Sequence, residues 1–215
     1  METQSLSRSM PFDGMTEAEI RSALDALRAE ETAYAKGAVI LRAGETANRM
    51  GMVLQGSVTI ESADMWGNRT ILALLGEGEI FAEVYALLPG EVLLVDARAV
   101  EDCRVLFLCP DGAENINAPW AAKLFRNFLS ISARKNLSLT ERSFHTAPKT
   151  VRGRIMAYLN TVSLQRRSRE FTIPFNRQQM ADYLNLDRTA LSKELGKMRD
   201  EGLIAFRKSR FAILS

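Results

Sequence analysis

The 215-residue sequence contains one histidine and two cysteines, and this scarcity excludes several chemistries. Cys103 and Cys109 form no CxxC pair and no disulfide framework, so they read as buried free thiols in a reducing compartment. His145 has no cysteine or carboxylate cluster near it in sequence, so metal-ligand spacing is absent and the residue reads as a surface or linker position. Paired carboxylates, a nucleophile–histidine arrangement and a P-loop are also missing. These absences leave no catalytic residue to name and argue against an enzyme. No apolar run approaches the ~20 residues of a membrane span. The opening METQSLSRSM lacks the hydrophobic segment of a secretory signal, which predicts a cytoplasmic protein.

Charge is present but unevenly distributed. From His145 onward there are fourteen Lys and Arg against six Asp and Glu, a net +8, while the first 144 residues carry −6. An acidic body with a basic tail suits a polyanion partner for the tail; a solvated basic surface would give the same count.

TEAEIRSALDALRAE, residues 16–30, opens with Thr16 and Glu19 in capping-box spacing and predicts a short helix through Ile20, Leu24 and Leu27. From about Ala35 to Cys109, short β-rich segments alternate with glycine-containing turns, as in an all-β sandwich or barrel. Gly44, Gly56, Gly67 and Gly78 are the expected positive-φ positions. Beyond Pro110-Asp111-Gly112 and Pro119, residues 120–144 hold neither Gly nor Pro. Trp120, Leu124, Phe128 and Ile131, followed by Leu137 or Leu139, mark one long helix with an apolar seam. A helix of a second subunit would cover that seam, or the seam packs on its own β domain. Pro148 marks a hinge, Val151 to Gln165 a further helix and FTIPF a short strand.

The last block carries the chemistry. Asn176 and Gln179 start a helix whose buried face is Met180, Tyr183 and Leu184; Asn185 suits a left-handed turn; Asp187 caps a second helix. With Leu191, Leu195 and Met198 facing inward and Gly202 ending the helix, Arg188, Thr189, Ser192 and Lys193 face outward near its N-terminus. This is the layout of a helix-turn-helix recognition helix, in which Arg188 can bond guanine O6 and N7 together. Arg177 and Gln178 are placed to hold phosphate, and LIAF-RKSR-FAIL reads as a two-stranded wing whose Lys208 and Arg210 lie along the DNA backbone.

RAGE at 42–45, VLQGSV at 53–58, GEGEIFAE at 76–83 and RQQMADYLNLDRTALSKELGKMRDEGLI at 177–204 resemble the Crp/Fnr family of bacterial transcription regulators over nearly the whole chain. The resemblance implies an α+β fold. An effector-binding β-roll (a double-stranded jelly roll) would occupy residues 1–117, a dimerisation helix 118–145, and a winged helix-turn-helix domain 146–215. It also implies a homodimer on a palindromic operator of double-stranded DNA, and RNA polymerase as a partner.

The family binds cyclic AMP through a Gly-Glu pair, an Arg-Ser phosphate clamp and polar residues of the dimer helix. Here those positions read Ala82-Glu83, Leu93-Leu94, and Leu139 with Thr140. Leucine offers a phosphate neither charge nor donor, and burying an uncompensated anion costs on the order of several kcal/mol. The expectation is therefore a regulator that does not sense cyclic AMP. Haem and iron–sulfur cofactors are not expected, because their cysteine or histidine ligands are missing. Three readings of the pocket stay open. It binds an apolar or aromatic effector with Glu83 or Tyr85 as polar handle; it is filled by its own side chains, giving an effector-independent regulator; or Leu93 and Leu94 are core residues of a buried strand. The rival from another class is a ligand-binding module whose C-terminal domain binds a protein.

Overall fold

The computed structural model describes residues 6, 9–63, 69–88, 90–110 and 117–214. The chain divides between Ala133 and Arg134 into two compact units. The expected turns at Gly67 and at Asp111-Gly112 lie outside the described residues.

In the first unit, α1 (Glu17–Ala26) starts at the predicted capping box: Thr16 Oγ1 accepts from the Glu19 N–H, and the Glu19 carboxylate accepts from the Thr16 N–H. The helix is shorter than its apolar spacing suggested. Arg28 takes φ 47°, and the chain then enters β1 (Glu30–Tyr34), a strand that begins before the expected β region. The rest of the roll is β2 (Val39–Leu41), β3 (Met50–Gln55), β4 (Val58–Ala63), β5 (Arg69–Leu75), β6 (Ile80–Phe81), α2 (Glu83–Leu87), β7 (Asp96–Ala99) and β8 (Cys103–Leu108). Two antiparallel sheets result, β1-β8-β3-β6 and β2-β7-β4-β5. Val53, Val58, Phe81, Ala97, Ala99, Val105 and Phe107 form one core cluster. Gly51 pairs with Phe81 across β3 and β6, and a Cβ there would lie 2.2 Å from the Phe81 ring, so only glycine admits that ring. Gly44, Gly56 and Gly78 take positive φ as expected.

The long helix α3 (Pro119–Thr146) is present. Trp120, Leu124, Phe128 and Ile131 pack with α1 residues into a second core. Asn127 donates to the carbonyls of Pro11 and Asp13. The buried seam ends at Ile131, and Leu137 and Leu139 are exposed.

The second unit continues with α4 (Val151–Arg166), β9 (Glu170–Thr172), α5 (Arg177–Tyr183), α6 (Arg188–Asp200), β10 (Ile204–Arg207) and β11 (Arg210–Ile213). Ile155, Leu159, Met180, Leu184, Leu191, Leu195, Met198, Ile204 and Phe211 form its core. Gly153 sits where a Cβ would approach Pro148 and Thr150 to 2.9 Å, so the turn between α3 and α4 closes tightly.

Candidate nucleic-acid interface and effector site

Local capping sets the geometry of α5 and α6. Asn176 and Gln179 form a capping box, Asn185 turns the chain at φ 52°, and Asp187 accepts from the Ala190 N–H to start α6. Leu191, Leu195 and Met198 are fully buried, which turns Arg188, Thr189, Ser192 and Lys193 to solvent on the first two turns. Arg188 and Lys193 have no ion-pair partner among the described residues, so both cations are available to an external anion. The far side of α6 is anchored. Arg152 of α4 donates to Glu194 at 2.6 Å and grips both carboxylate oxygens of Glu201 at 2.7 and 2.8 Å.

The wing is a tight hairpin, β10 on β11, with Lys208 at φ 55° at its tip and both Arg207 and Lys208 exposed. Arg210 reaches Glu170 at 2.9 Å, an exposed pair that an anion can displace. Arg177 is half-buried, its guanidinium 4.9 Å from the Phe206 ring centre and 5.2 Å from that of Phe211. It thereby ties the first turn of α5 to the wing, and burial lowers its pKa. Gln178 is exposed and donates to Asp182. Arg177, Gln178, Lys208 and Arg210 therefore lie on two adjoining elements, α5 and the wing, beside the α6 face.

The effector positions are less uniform. Glu83 is buried, at 4% exposure, in the first turn of α2, and Ala82 before it holds the left-handed conformation at φ 59° that glycine would adopt without strain. Leu93 is buried, at 3%, and both its backbone groups are used: its N–H donates to Glu45 and its carbonyl accepts from Gly44. Leu94 corrects the buried-strand reading. It is 77% exposed in an irregular segment next to the isolated bridge Thr46–Val92. Once the Leu93 backbone is bonded to residues 44 and 45, the chain bends there and the next side chain faces water. The Leu94 N–H reaches Tyr85 Oη at 3.4 Å, so those two residues meet. Leu139 and Thr140 belong to the second unit and are exposed, and the Thr140 hydroxyl donates to Asn136.

Arg98 does not replace the missing clamp. Its neighbours on β7, Ala97 and Ala99, face the core, and alternation turns Arg98 to the opposite face. There it donates to the Gly37 carbonyl at 2.8 Å and lies 3.6 Å from buried Glu61 and 3.8 Å from Asp96. Among the described residues, no group of three His, Cys, Asp or Glu is placed to hold a metal, and no helix is long and apolar enough to cross a membrane.

Family models match at the two ends of the chain: the cyclic nucleotide-binding domain over residues 31–116 and the Crp-like helix-turn-helix domain over 153–215, together more than two thirds of the sequence. The chain belongs to the Crp/Fnr family of transcription regulators. Its solved relatives include the catabolite activator protein of Thermus thermophilus, 25% identical, covering 95% of this chain and 93% of that one at a TM-score of 0.54. The c-di-GMP responsive global regulator CLP of Xanthomonas campestris is 18% identical, covering 93% and 100% at 0.57. CprK in complex with OCPA is 16% identical, covering 92% and 89% at 0.59. A comparison with curated protein sequences finds no match. As a Crp/Fnr regulator, the chain pairs a small-molecule-type domain with a DNA-binding one.

Sequence reasoning missed two features. His145 is no surface residue: it is 2% exposed, inside α3, with Nδ1 2.9 Å from the Tyr183 hydroxyl. Tyr158 meets its ring edge-on at 5.4 Å, and Phe175 completes the aromatic cluster against Tyr158 and Tyr183. Two arginines, Arg142 and Arg154, converge on the backbone of the turn between α5 and α6. No local pattern marks either feature.

Proposed function

We propose that this Crp/Fnr regulator acts as a homodimer. Each subunit would set α6 in a major groove of a two-fold symmetric operator, with Arg188, Thr189, Ser192 and Lys193 reading base edges and Arg177, Gln178, Lys208 and Arg210 holding phosphate. The carrying observation is the pair of unpartnered cations, Arg188 and Lys193, on the outward first turns of a capped helix whose opposite side is fixed by Arg152. Dimerisation is supported by exposed Phe125, Leu129 and Leu139, which recur at coiled-coil spacing on α3. The half-sites would then lie about one helical turn, ~34 Å, apart. RNA polymerase is the partner through which such a protein would act.

Arg188→Ala is expected to cost ~1–3 kcal/mol on an operator selected from random DNA and to relax preference at one base pair per half-site. Equal losses on operator and random DNA would refute base reading by Arg188.

The effector would enter the roll near Glu83 and Tyr85 and shift the balance between two arrangements of the DNA-binding domains. That effector is not cyclic AMP. Leu93 and Leu94 supply no cation, and Arg98 is committed to Gly37, Glu61 and Asp96 on the opposite face of β7. Millimolar cyclic AMP should leave both the melting temperature and operator affinity unchanged; a saturable shift at micromolar concentration would overturn this reading. An apolar or aromatic effector without a negative charge of its own, with Glu83 or Tyr85 as polar handle, is the ligand class that fits an apolar roll lacking a free cation.

A further inference from the structure

The end of the long helix is fastened to the helix-turn-helix. α3 stops at Thr146 and α4 starts at Val151, so a four-residue link, 147–150, separates them. Side chains from before that link reach past it. Arg142 Nε donates to the Tyr183 carbonyl at 3.3 Å, and Nη2 reaches the Asp182 carbonyl at 3.5 Å and Asn185 Oδ1 at 3.4 Å. Its guanidinium also lies 5.8 Å from the Tyr183 ring centre. Glu141, beside it, accepts from Gln165 at the far end of α4. From the other side Arg154 donates to the carbonyls of Leu184 and Asn185 at 3.2 and 2.9 Å. The carbonyls of Tyr183, Leu184 and Asn185, at the end of α5 and in the turn after it, thus accept from two arginines. Three residues after Arg142, His145 sits in the aromatic cluster with Nε2 buried and without a hydrogen-bond partner among the described residues.

We propose that Arg142 and His145 are positioning residues for DNA recognition: they clasp the turn between α5 and α6 to the last turns of α3, so that the long helix sets the orientation of the reading helix. The proposal rests on the reading of α6 as the base-reading helix. A recognition surface must be held to within about 0.5 Å and 10–20° to keep its contacts. The 147–150 link alone cannot do that, whereas a planar guanidinium on three acceptors and a ring wedged among Tyr158, Phe175 and Tyr183 can.

The clasp requires a neutral imidazole. The groups around it are the Tyr158 ring from α4, the Tyr183 hydroxyl from α5, and Glu141 and Arg142 on its own helix. A second ring proton would place a charge in an aromatic cage and a donor where no acceptor lies. Burial accordingly holds the His145 pKa below the ordinary 6.5. The docked form therefore binds protons less readily than the released one, so the clasp is intact above that ordinary value and weakens as pH falls below it.

The test uses the full-length protein and an operator selected from random DNA. His145 is the chain's only histidine, so its imidazole signals in ¹H–¹³C NMR need no assignment. They should titrate below the ordinary value without DNA present. Wild-type operator affinity should fall between pH 7.5 and 5.5 by up to about tenfold per subunit, about a hundredfold for a dimer, the limit set by one proton per subunit against a released pKa of about 6.5. His145→Phe, which keeps an aromatic wedge and cannot titrate, should bind within about twofold of wild type at pH 7.5 and lose that pH dependence. Arg142→Ala should weaken operator binding about tenfold at both pH values, and Arg142→Lys should not rescue it, because one ammonium cannot span three acceptors. Imidazole signals that titrate like free histidine, a His145→Phe protein with the wild-type pH profile, or rescue by lysine would each overturn the proposal. Arg188→Ala separates the two readings: if it binds operator normally, α6 is not the reading helix, while the DNA-free titration still reports on the clasp.

Discussion

Phe211→Ala is expected to destabilise the second unit by about 3–5 kcal/mol, a large part of what a domain of this size holds in reserve. Phe211 is fully buried in the core shared by α4, α5, α6 and the wing. It pairs with Phe206 across the hairpin at a ring separation of 5.6 Å, and the two rings form the seat for Arg177. Truncation leaves a cavity that the hairpin cannot close, since β11 is fixed on both edges by β10 and β9. The chain offers two separable probes. Both tryptophans, Trp66 and Trp120, precede Arg134, so their fluorescence reports the first unit while far-ultraviolet circular dichroism reports both. In urea, the circular dichroism of Phe211→Ala should gain an early phase and the tryptophan transition should stay in place. A circular dichroism curve that coincides with wild type would refute the packing role.

The elements readable in the sequence were those specified by near neighbours. Thr16 with Glu19, Asn176 with Gln179, and Asp187 each cap a helix through a residue three positions away, and each cap is present. Asn185 and the glycines at 44, 56 and 78 take the left-handed conformations that their turns needed. The outward set on α6 followed from helical spacing alone. What was not legible depended on partners remote in sequence. His145 looked solvent-exposed because its cage is built from Tyr158, Phe175 and Tyr183, and its hydrogen bond spans 38 residues. Leu94 sits in an apolar run, which kept a core position among its three open readings, yet the bonds that bend the chain there come from Gly44 and Glu45. Arg98 is the basic residue nearest in sequence to Leu93 and Leu94, but its ion pair with Glu61 on the adjoining strand gives it another task. Charge has the same property, because the net +8 of the tail overstates what is available outside. Arg152, Arg154 and Arg199 are held by internal partners.

The cations that remain set the second large effect, the salt dependence of DNA binding. On α6 and the wing, Arg188, Lys193, Arg207 and Lys208 are exposed and have no ion-pair partner among the described residues, four per subunit and eight in a dimer. Each phosphate charge offset by a cation, whether it lies along the backbone or enters the groove to read bases as Arg188 and Lys193 would, contributes about −0.9 to the slope of log affinity against log salt. A dimer using all eight should show a slope near −7, a fall of about 10⁴-fold in affinity between 50 and 200 mM salt. Lys208→Ala removes one contact per subunit, so it should flatten the slope by about 2 and weaken operator and random DNA alike. Arg188→Ala, by contrast, should change the preference among sequences. A slope near zero would favour the rival in which the C-terminal domain docks a protein surface, since salt screens such an interface only weakly. A slope near −3.5 would mean that one subunit at a time engages the duplex, and the symmetric-operator reading would fail while the nucleic-acid reading stood.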